Sequence, residues 1–256
     1  MNILEKIAAS AKERVEHEKK KGLPPNPDNK RVPFLFEKSL REPGMSFICE
    51  VKKASPSKGI IAEDFPYITI AKDYEKAGAS AISVLTEPQY FLGSDMYLSE
   101  IRAVVDVPLL RKDFIVDPFQ IEQSVWLGAD AILLICAILS PAQLAEYIAI
   151  AGEQGLSCLV EVHDEFEMKM ALDAKAGIIG VNNRNLKTFD VNPENSIHLR
   201  KLVPENVLFV SESGIRTADD VAALKKNGVD AVLVGETLMR AKDKEKALGI
   251  LRGDLA

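Results

Sequence analysis

The feature that most constrains the fold of this chain is an alternation repeated eight times after residue 45. Short runs rich in Ile, Val and Leu occur at 46–52 (SFICEVK), 80–85 (SAISVL), 108–112 (PLLRK) and 130–135 (DAILLI). Four more follow at 157–161 (SCLVE), 178–182 (IIGVN), 207–211 (VLFVS) and 230–234 (DAVLV). Amphipathic helical stretches separate them, among them 67–77, 118–127, 141–154, 164–173 and 217–226. Several of these stretches end in a glycine with an apolar residue close behind (KAGAS, WLGAD, EQGLS, KNGVD), the pattern of a left-handed helix stop. Strands that are apolar almost throughout suit a parallel sheet covered on both faces. Eight such units in about 210 residues match a closed (β/α)8 barrel. The alternative is an open doubly wound sheet, which ordinarily carries a Gly-rich turn after its first strand. Residues 53–59 (KASPSKG) lack the G-x-G-x-x-G pattern of that turn.

The expected fold is therefore α/β, a TIM barrel with an N-terminal helical extension. Residues 1–256 read as one domain, with 1–45 the extension and 46–256 the barrel. Ile3, Leu4, Ile7, Ala8, Ala11 and Val15 form one helical stripe over residues 3–20. A polar, Pro-rich connector at 20–31 leads to a second short helix at 34–40, stopped by Pro43-Gly44. The extension is expected to cover the rim or the bottom of the barrel.

In such a barrel the reactive groups stand at the C-terminal ends of the strands, because side chains pack the interior below. The first run ends in Glu50 and Lys52, which share one side of the sheet because they are two apart. The third ends in Arg111-Lys112, the fifth in Glu161, and the sixth in Asn182 with Arg184 close behind. The seventh runs into Ser211-Glu212-Ser213-Gly214, and the eighth ends in Gly235-Glu236. A charge at one strand end is ordinary surface chemistry. Several converging on a single rim would shift one another's pKa values, as acid–base work requires. Loops after the seventh and eighth strands, with glycines and free N–H groups at a helix start, are the common phosphate cradle of this fold. Ser213-Gly214 and Gly235-Glu236 occupy those positions, and Ser55-Pro56-Ser57-Lys58-Gly59 adds hydroxyls and a cation after the first strand.

The formal net charge of -6 argues against nucleic acid or an anionic membrane as partner, yet leaves room for an anionic small molecule. No apolar run approaches the length of a membrane span. The first 21 residues are too charged for a signal peptide. Cys49, Cys136 and Cys158 lie in or beside strand-like runs, read as buried free thiols, and suit a reducing cytoplasm. His17, His163 and His198 are scattered and read as incidental; no metal site is expected.

Six motifs carry a resemblance: CEVKKASPSKG (49–59), LLRKDFIVDPFQI (109–121), LVEVHDEFE (159–167), IGVNNRNLKTF (179–189), VSESGIRT (210–217) and VLVGETLM (232–239). In this order, the chain resembles the indole-3-glycerol-phosphate synthase family of tryptophan biosynthesis along nearly its whole length. The resemblance implies a carboxy-lyase that converts 1-(2-carboxyphenylamino)-1-deoxyribulose 5-phosphate into indole-3-glycerol phosphate, carbon dioxide and water. It implies no cofactor and no metal. It makes Lys112 the general acid of ring closure, with Glu161 and Glu50 handling protons beside it and Lys52 on the substrate phosphate or carboxylate. Asn182 and Arg184 would hold the anthranilate portion. Ser213, Gly214, Gly235 and the N–H of Glu236 would grip the phosphate, with Ser55 near them. Pro56, Phe91, Phe114, Leu133 and Phe189 are candidates for the apolar wall that the benzenoid ring needs. Some family members carry a small hydroxyl residue where Glu236 stands, so the backbone of Glu236, rather than its carboxylate, is expected to face the phosphate. A phosphoribosylanthranilate isomerase would need a Cys and Asp pair at strand ends, whereas here the first strand ends in Glu50 and Lys52. A non-catalytic phosphate-ester sensor should lack one of the proton-transfer residues, and all are present. The expected partner is a phosphorylated small molecule, and the chain is expected to act as a monomer or weak homo-oligomer. It ends soon after the eighth helical stretch, so no fused second enzyme is expected.

Overall fold

The computed structural model describes residues 3–23, 32–185 and 188–255. Eight parallel strands close into a barrel: β1 (Ser46–Val51), β2 (Ala81–Leu85), β3 (Leu109–Lys112), β4 (Ala131–Ile135), β5 (Ser157–Val162), β6 (Ile178–Asn182), β7 (Leu208–Glu212) and β8 (Ala231–Val234). Each pairs with the next in sequence, and β1 closes the ring on β8 through Ser46↔Ala231 to Cys49↔Val234. The expected strands therefore form at the expected places, with ends shifted by a residue or so.

Strand period two divides the core. Ile48, Leu110, Leu133, Leu159, Ile178, Val210 and Leu233 fill the barrel interior, in one cluster with parts of the N-terminal extension. Their alternates, among them Cys49, Ile82, Ile132, Val160, Ile179, Phe209 and Val232, face the surrounding helices. Cys49 thus faces away from the interior, as its position between Ile48 and Glu50 requires. Cys49 and Cys136 are buried free thiols, while Cys158 is only half-buried, on the helix-facing side of β5.

The helices that wrap the barrel are α3 (Tyr67–Lys76), α4 (Asp95–Arg102), α5 (Pro118–Trp126), α6 (Pro141–Glu153), α7 (Glu165–Asp173), α8 (Glu194–Arg200), α9 (Ala218–Lys226), α10 (Glu236–Arg240) and α11 (Lys244–Arg252), the last two both following β8. Their starts are written locally. Ser94, Asp117, Asp164 and Asp243 accept a backbone N–H from the first turn of the helix that follows, and Ser140 with Gln143 and Thr217 with Asp220 form reciprocal capping boxes. Their ends follow the glycine pattern: Gly128 and Gly155 take φ of 84° and 70°, where a side chain would be strained.

The extension covers both ends of the barrel. α2 (Leu35–Leu40) closes the bottom: Phe36 and Leu40 are buried against the interior cluster, the Glu37 N–H donates to Ser157 Oγ, and the Ser39 hydroxyl donates to the Ser80 carbonyl. α1 (Ile3–Lys21) lies across the opposite rim. Its Arg14 grips both oxygens of Asp113 at 2.8 and 2.9 Å, and its Lys19 reaches Asp117 at 2.6 Å. The expected connector falls from residue 24 onward outside the described residues. Among the described residues, no helix is long and apolar enough to cross a membrane.

Candidate active site

The same alternation that packs the interior places the polar groups. Counting up from Ile48, Leu110, Leu159, Ile178 and Val210 by two gives Glu50, Lys112, Glu161, Gly180 and Glu212, all directed inward at the upper end. Lys52 and Asn182 come one step higher. These side chains open into one cavity of about 580 Å³ at the C-terminal mouth. Lys112, Glu161, Glu50, Lys52, Asn182, Arg184, Ser55, Pro56, Phe91, Phe114, Leu133, Phe189, Ser213, Gly214, Gly235 and Glu236 all line it, so residues from 50 to 236 in sequence share one space.

Two glycines in the ring have a steric reason. A Cβ on Gly180 would lie 2.3 Å from Glu212 Oε1, and one on Gly235 would lie 2.3 Å from Glu50 Oε2. Both strands omit a side chain where a neighbouring carboxylate needs the volume.

Lys112 is the hub. Its Nζ lies 3.3 Å from Glu212 Oε2, 3.8 Å from Glu161 Oε2 and 3.9 Å from Glu50 Oε1. Glu50 is also in close ion-pair contact with Lys52. The three carboxylates are almost fully buried, at 3%, 3% and 2% exposure for Glu50, Glu161 and Glu212. Burial disfavours the ammonium of Lys112, but Glu212, Glu161 and Glu50 together outweigh it and raise its pKa well above the ordinary value. The lysine is therefore cationic until it gives up a proton. Burial pushes Glu50 up, yet Lys52 and Lys112 prevail and hold it below the usual carboxylate range. Glu212 goes the other way. Burial, joined by the charges of Glu161 and Glu50, pushes it up to about 7 in spite of Lys112. Its Oε1 is buried with no hydrogen-bond partner among the described residues. Environments that push neighbouring carboxylates apart assign them different proton states near neutrality.

The cavity has an apolar side and a polar side. Phe91 and Phe114 pack with ring centroids 6.1 Å apart. The loop carrying Phe91 is built around Glu87, whose carboxylate accepts the N–H groups of Gln89, Tyr90 and Phe91 at 2.9, 2.7 and 2.9 Å. Leu133, Ile135 and Leu233 form the floor, and Ile3, Leu4 and Ile7 of α1 complete the wall. On the polar side, Ser213 and Gly214 adopt left-handed φ values of 68° and 87°. A Cβ on Gly214 would lie 2.6 Å from Val191 Cγ1, so a glycine is needed there. Thr237 donates its hydroxyl to the Ile215 carbonyl, tying the loop after β7 to the start of α10. The Glu236 carboxylate is turned toward cations, 3.0 Å from Arg240 Nε and 3.8 Å from Lys58 Nζ. Asn182 Oδ1 accepts the Arg184 N–H at 3.0 Å, and the Arg184 guanidinium donates to the Phe189 carbonyl at 3.0 Å. The segment after Lys52 is a small antiparallel hairpin, Ala54–Ser55 with Gly59–Ile60, rather than the plain loop its composition indicates.

Sequence reasoning missed three things. Glu212 stands at the end of a strand beside a serine and a glycine that carry the more obvious phosphate signal; period two from Val210 is the signal that finds it. The apolar end of α1, which lines the cavity, carries no chemical motif. Arg111, adjacent to Lys112, points outward and is buried among Asp95, Gln123, Ser124 and Thr86, so it belongs to the scaffold of β3 rather than to the rim.

A closed parallel barrel whose mouth holds a lysine among three buried carboxylates, between an aromatic wall and a glycine-containing loop, defines the class: a (β/α)8-barrel enzyme organised for acid–base chemistry. The family model described as indole-3-glycerol phosphate synthase matches residues 4–251. The chain belongs to the indole-3-glycerol phosphate synthase family. It is 58% identical to the indole-3-glycerol phosphate synthase of Ruminiclostridium cellulolyticum over 98% of this chain and 99% of that one. It is 55% identical to the enzyme of the same name from Endomicrobium trichonymphae over 93% and 95% of the two chains. Among solved structures, 3-hexulose-6-phosphate synthase from Salmonella typhimurium superposes with a TM-score of 0.67 at 16% identity, covering 82% of this chain and 98% of that one. That likeness speaks to the barrel alone.

Proposed function

We propose that this chain closes the indole ring of indole-3-glycerol phosphate, acting on 1-(2-carboxyphenylamino)-1-deoxyribulose 5-phosphate with loss of carbon dioxide and water. The observation that carries the reading is the Lys112 ammonium, held 3.3 to 3.9 Å from three buried carboxylates over one cavity. Ring closure joins the carboxylate-bearing aromatic carbon to the substrate ketone carbon. Negative charge then gathers on the ketone oxygen, and an ammonium beside it donates a proton as the alkoxide forms. The bond to the carboxylate next breaks as carbon dioxide, and its electron pair restores the aromatic ring. Loss of water needs an acid for the leaving hydroxyl and a base for the proton that departs. Lys112 is assigned the donor role and Glu161 the acceptor, with ionised Glu50 holding the lysine charged and Glu212, pushed up to about 7, returning protons to it. Each proton step is thereby assigned to a side chain, with no cofactor or metal.

Phe91, Phe114, Leu133, Pro56 and Phe189 supply the apolar faces for the benzenoid ring. Asn182 and Arg184 are assigned its carboxylate. The phosphate is assigned to Ser213, Gly214, Gly235 and the Glu236 N–H, with Lys52 and Ser55 on the same side. The Glu236 carboxylate, already paired with Arg240 and Lys58, is kept off the anion. The substrate partner is a phosphorylated small molecule. The chain is assigned action as a monomer or weak homo-oligomer, and three free thiols favour a reducing cytoplasm. The test is direct: the folded protein, given the authentic substrate without metal or nucleotide, yields a product with indole fluorescence. Binding without conversion would favour a sensor, and no conversion at all would reject the reading.

A further inference from the structure

One titratable group beside the hub has no part in this scheme. His163 follows β5, two residues beyond Glu161, and does not line the cavity. Its Nε2 lies 3.4 Å from Glu161 Oε1, while the other oxygen of that carboxylate, Oε2, lies 3.8 Å from Lys112. Its Nδ1 lies 3.0 Å from Glu167 Oε2, which also accepts the His163 backbone N–H at 2.9 Å. Asn195 of α8 fixes the segment from the other side by donating to the His163 carbonyl. Nε2 is buried and has no formed hydrogen bond among the described residues, so its approach to Glu161 is an ion-pair contact.

We propose that His163 is a positioning residue for Glu161: oriented by Glu167, its imidazole attracts one oxygen of the Glu161 carboxylate and leaves the other for Lys112 and the substrate. The inference rests on the proton-accepting role given to Glu161. A neutral imidazole has one N–H and one lone pair, so between two carboxylates it must turn a lone pair on one of them. Donation to both requires the imidazolium form. The groups that face it are Glu161 and, beyond it, Glu212 from the barrel, and Glu167 from α7, with Asp164 next in the chain. The Cys136 thiol, near the same carboxylates, is pushed up to about 12 by burial and stays neutral. Burial works against the charged form of His163, but the Glu167 hydrogen bond and the charges of Glu161, Glu167 and Glu212 outweigh it, so its pKa rises above the ordinary value. The Glu161 carboxylate therefore has a second cation beside it, His163, in addition to Lys112.

The sign of the effect follows. Removing the imidazole takes away the positive charge 3.4 Å from the Glu161 carboxylate, so the acidic limb of the kcat/KM profile moves to higher pH, by about one unit. The experiment has two arms. In the first, the histidine resonances of the folded protein are titrated by NMR in wild type, Glu167→Gln and Glu161→Gln; His163 is expected to titrate above its ordinary value and to fall in both variants. In the second, pH–rate profiles are measured for wild type, His163→Phe and Glu167→Gln. His163→Phe is expected to lower kcat/KM about tenfold below the wild-type limb, a factor of ten per pKa unit, with KM changed less than twofold. Glu167→Gln should move the limb the same way by less, and it keeps the test open if His163→Phe does not fold. An active wild type, a His163 titration indifferent to Glu161→Gln, and unmoved limbs would overturn the proposal. An inactive wild type would instead reject the functional reading, while the NMR arm still decides whether His163 and Glu161 are coupled.

Discussion

Glu212 and Lys112 lie closest together of the hub pairs, and they answer burial in different ways. The lysine has three counter-charges and remains an ammonium; the glutamate has one cation shared with two rivals and is pushed up to about 7. Its contribution to stability follows from that direction. A carboxyl whose folded pKa lies above the ordinary 4.5 favours the folded state below that value, and the favour is lost as pH rises through about 7. Between about pH 5 and pH 8 the thermal midpoint of the wild type should therefore fall more than that of Glu212→Gln. The same substitution should lower kcat by about two orders of magnitude, within the range of a lost proton-transfer partner. Equal pH dependence of the two midpoints would mean that Glu212 is ionised throughout. Residue identity was legible where a side chain has a singular chemical type, as at Lys112 or Arg184. It was less legible at Glu212, which differs from many surface glutamates only in what lies across the barrel from it. His163 reads as incidental in the sequence for the same reason, because its two carboxylate neighbours become visible as a pair only when β5 and the start of α7 are placed in space.

The strands and most helices could be read because local physics specifies them: unbroken apolar runs, capping residues at helix starts, glycines at their ends. The hairpin at Ala54–Ser55 and Gly59–Ile60 could not, since two-residue strands have no periodicity to detect. Two predictions belong to elements. Gly180 lies in β6 where a Cβ would meet Glu212 Oε1, with Leu159 Cδ1 also close, at 3.1 Å. Gly180→Ala should displace the Glu212 carboxylate and reduce kcat at least tenfold while the barrel still folds, as circular dichroism and turnover would show together; full activity would mean that the mouth tolerates the shift. The second concerns α1. Arg14 Nη2 donates to both oxygens of fully buried Asp113, which follows Lys112, and without it Asp113 keeps Arg111 and Thr86 as its side-chain partners among the described residues. Arg14→Ala should cost about 2 kcal/mol, less than a wholly buried pair because Arg14 is partly exposed. In a chain of this size that lowers the thermal midpoint by about 5 °C. An unchanged midpoint would show that α1 is held by its apolar stripe alone.

For the molecule as a whole, closure of the sheet does what no single segment can. β1, β3, β5 and β7 are separated along the chain, yet the ring sets Glu50, Lys112, Glu161 and Glu212 around one opening, and the loops after β6, β7 and β8 complete it. The count of strands made that circle legible in the sequence. Which end α1 covers was not, because an amphipathic stripe states that a face is buried but not against what. Lys112 is assigned the role of proton donor at the centre of that ring. Its most direct test is single-turnover and steady-state kinetics of Lys112→Ala beside an equilibrium measurement of substrate binding. The predicted result is a loss of about three orders of magnitude in kcat, the range of general acid catalysis, with the substrate still bound within a few-fold of the wild-type affinity. Turnover near that of the wild type would contradict it and place the acid elsewhere in the cavity.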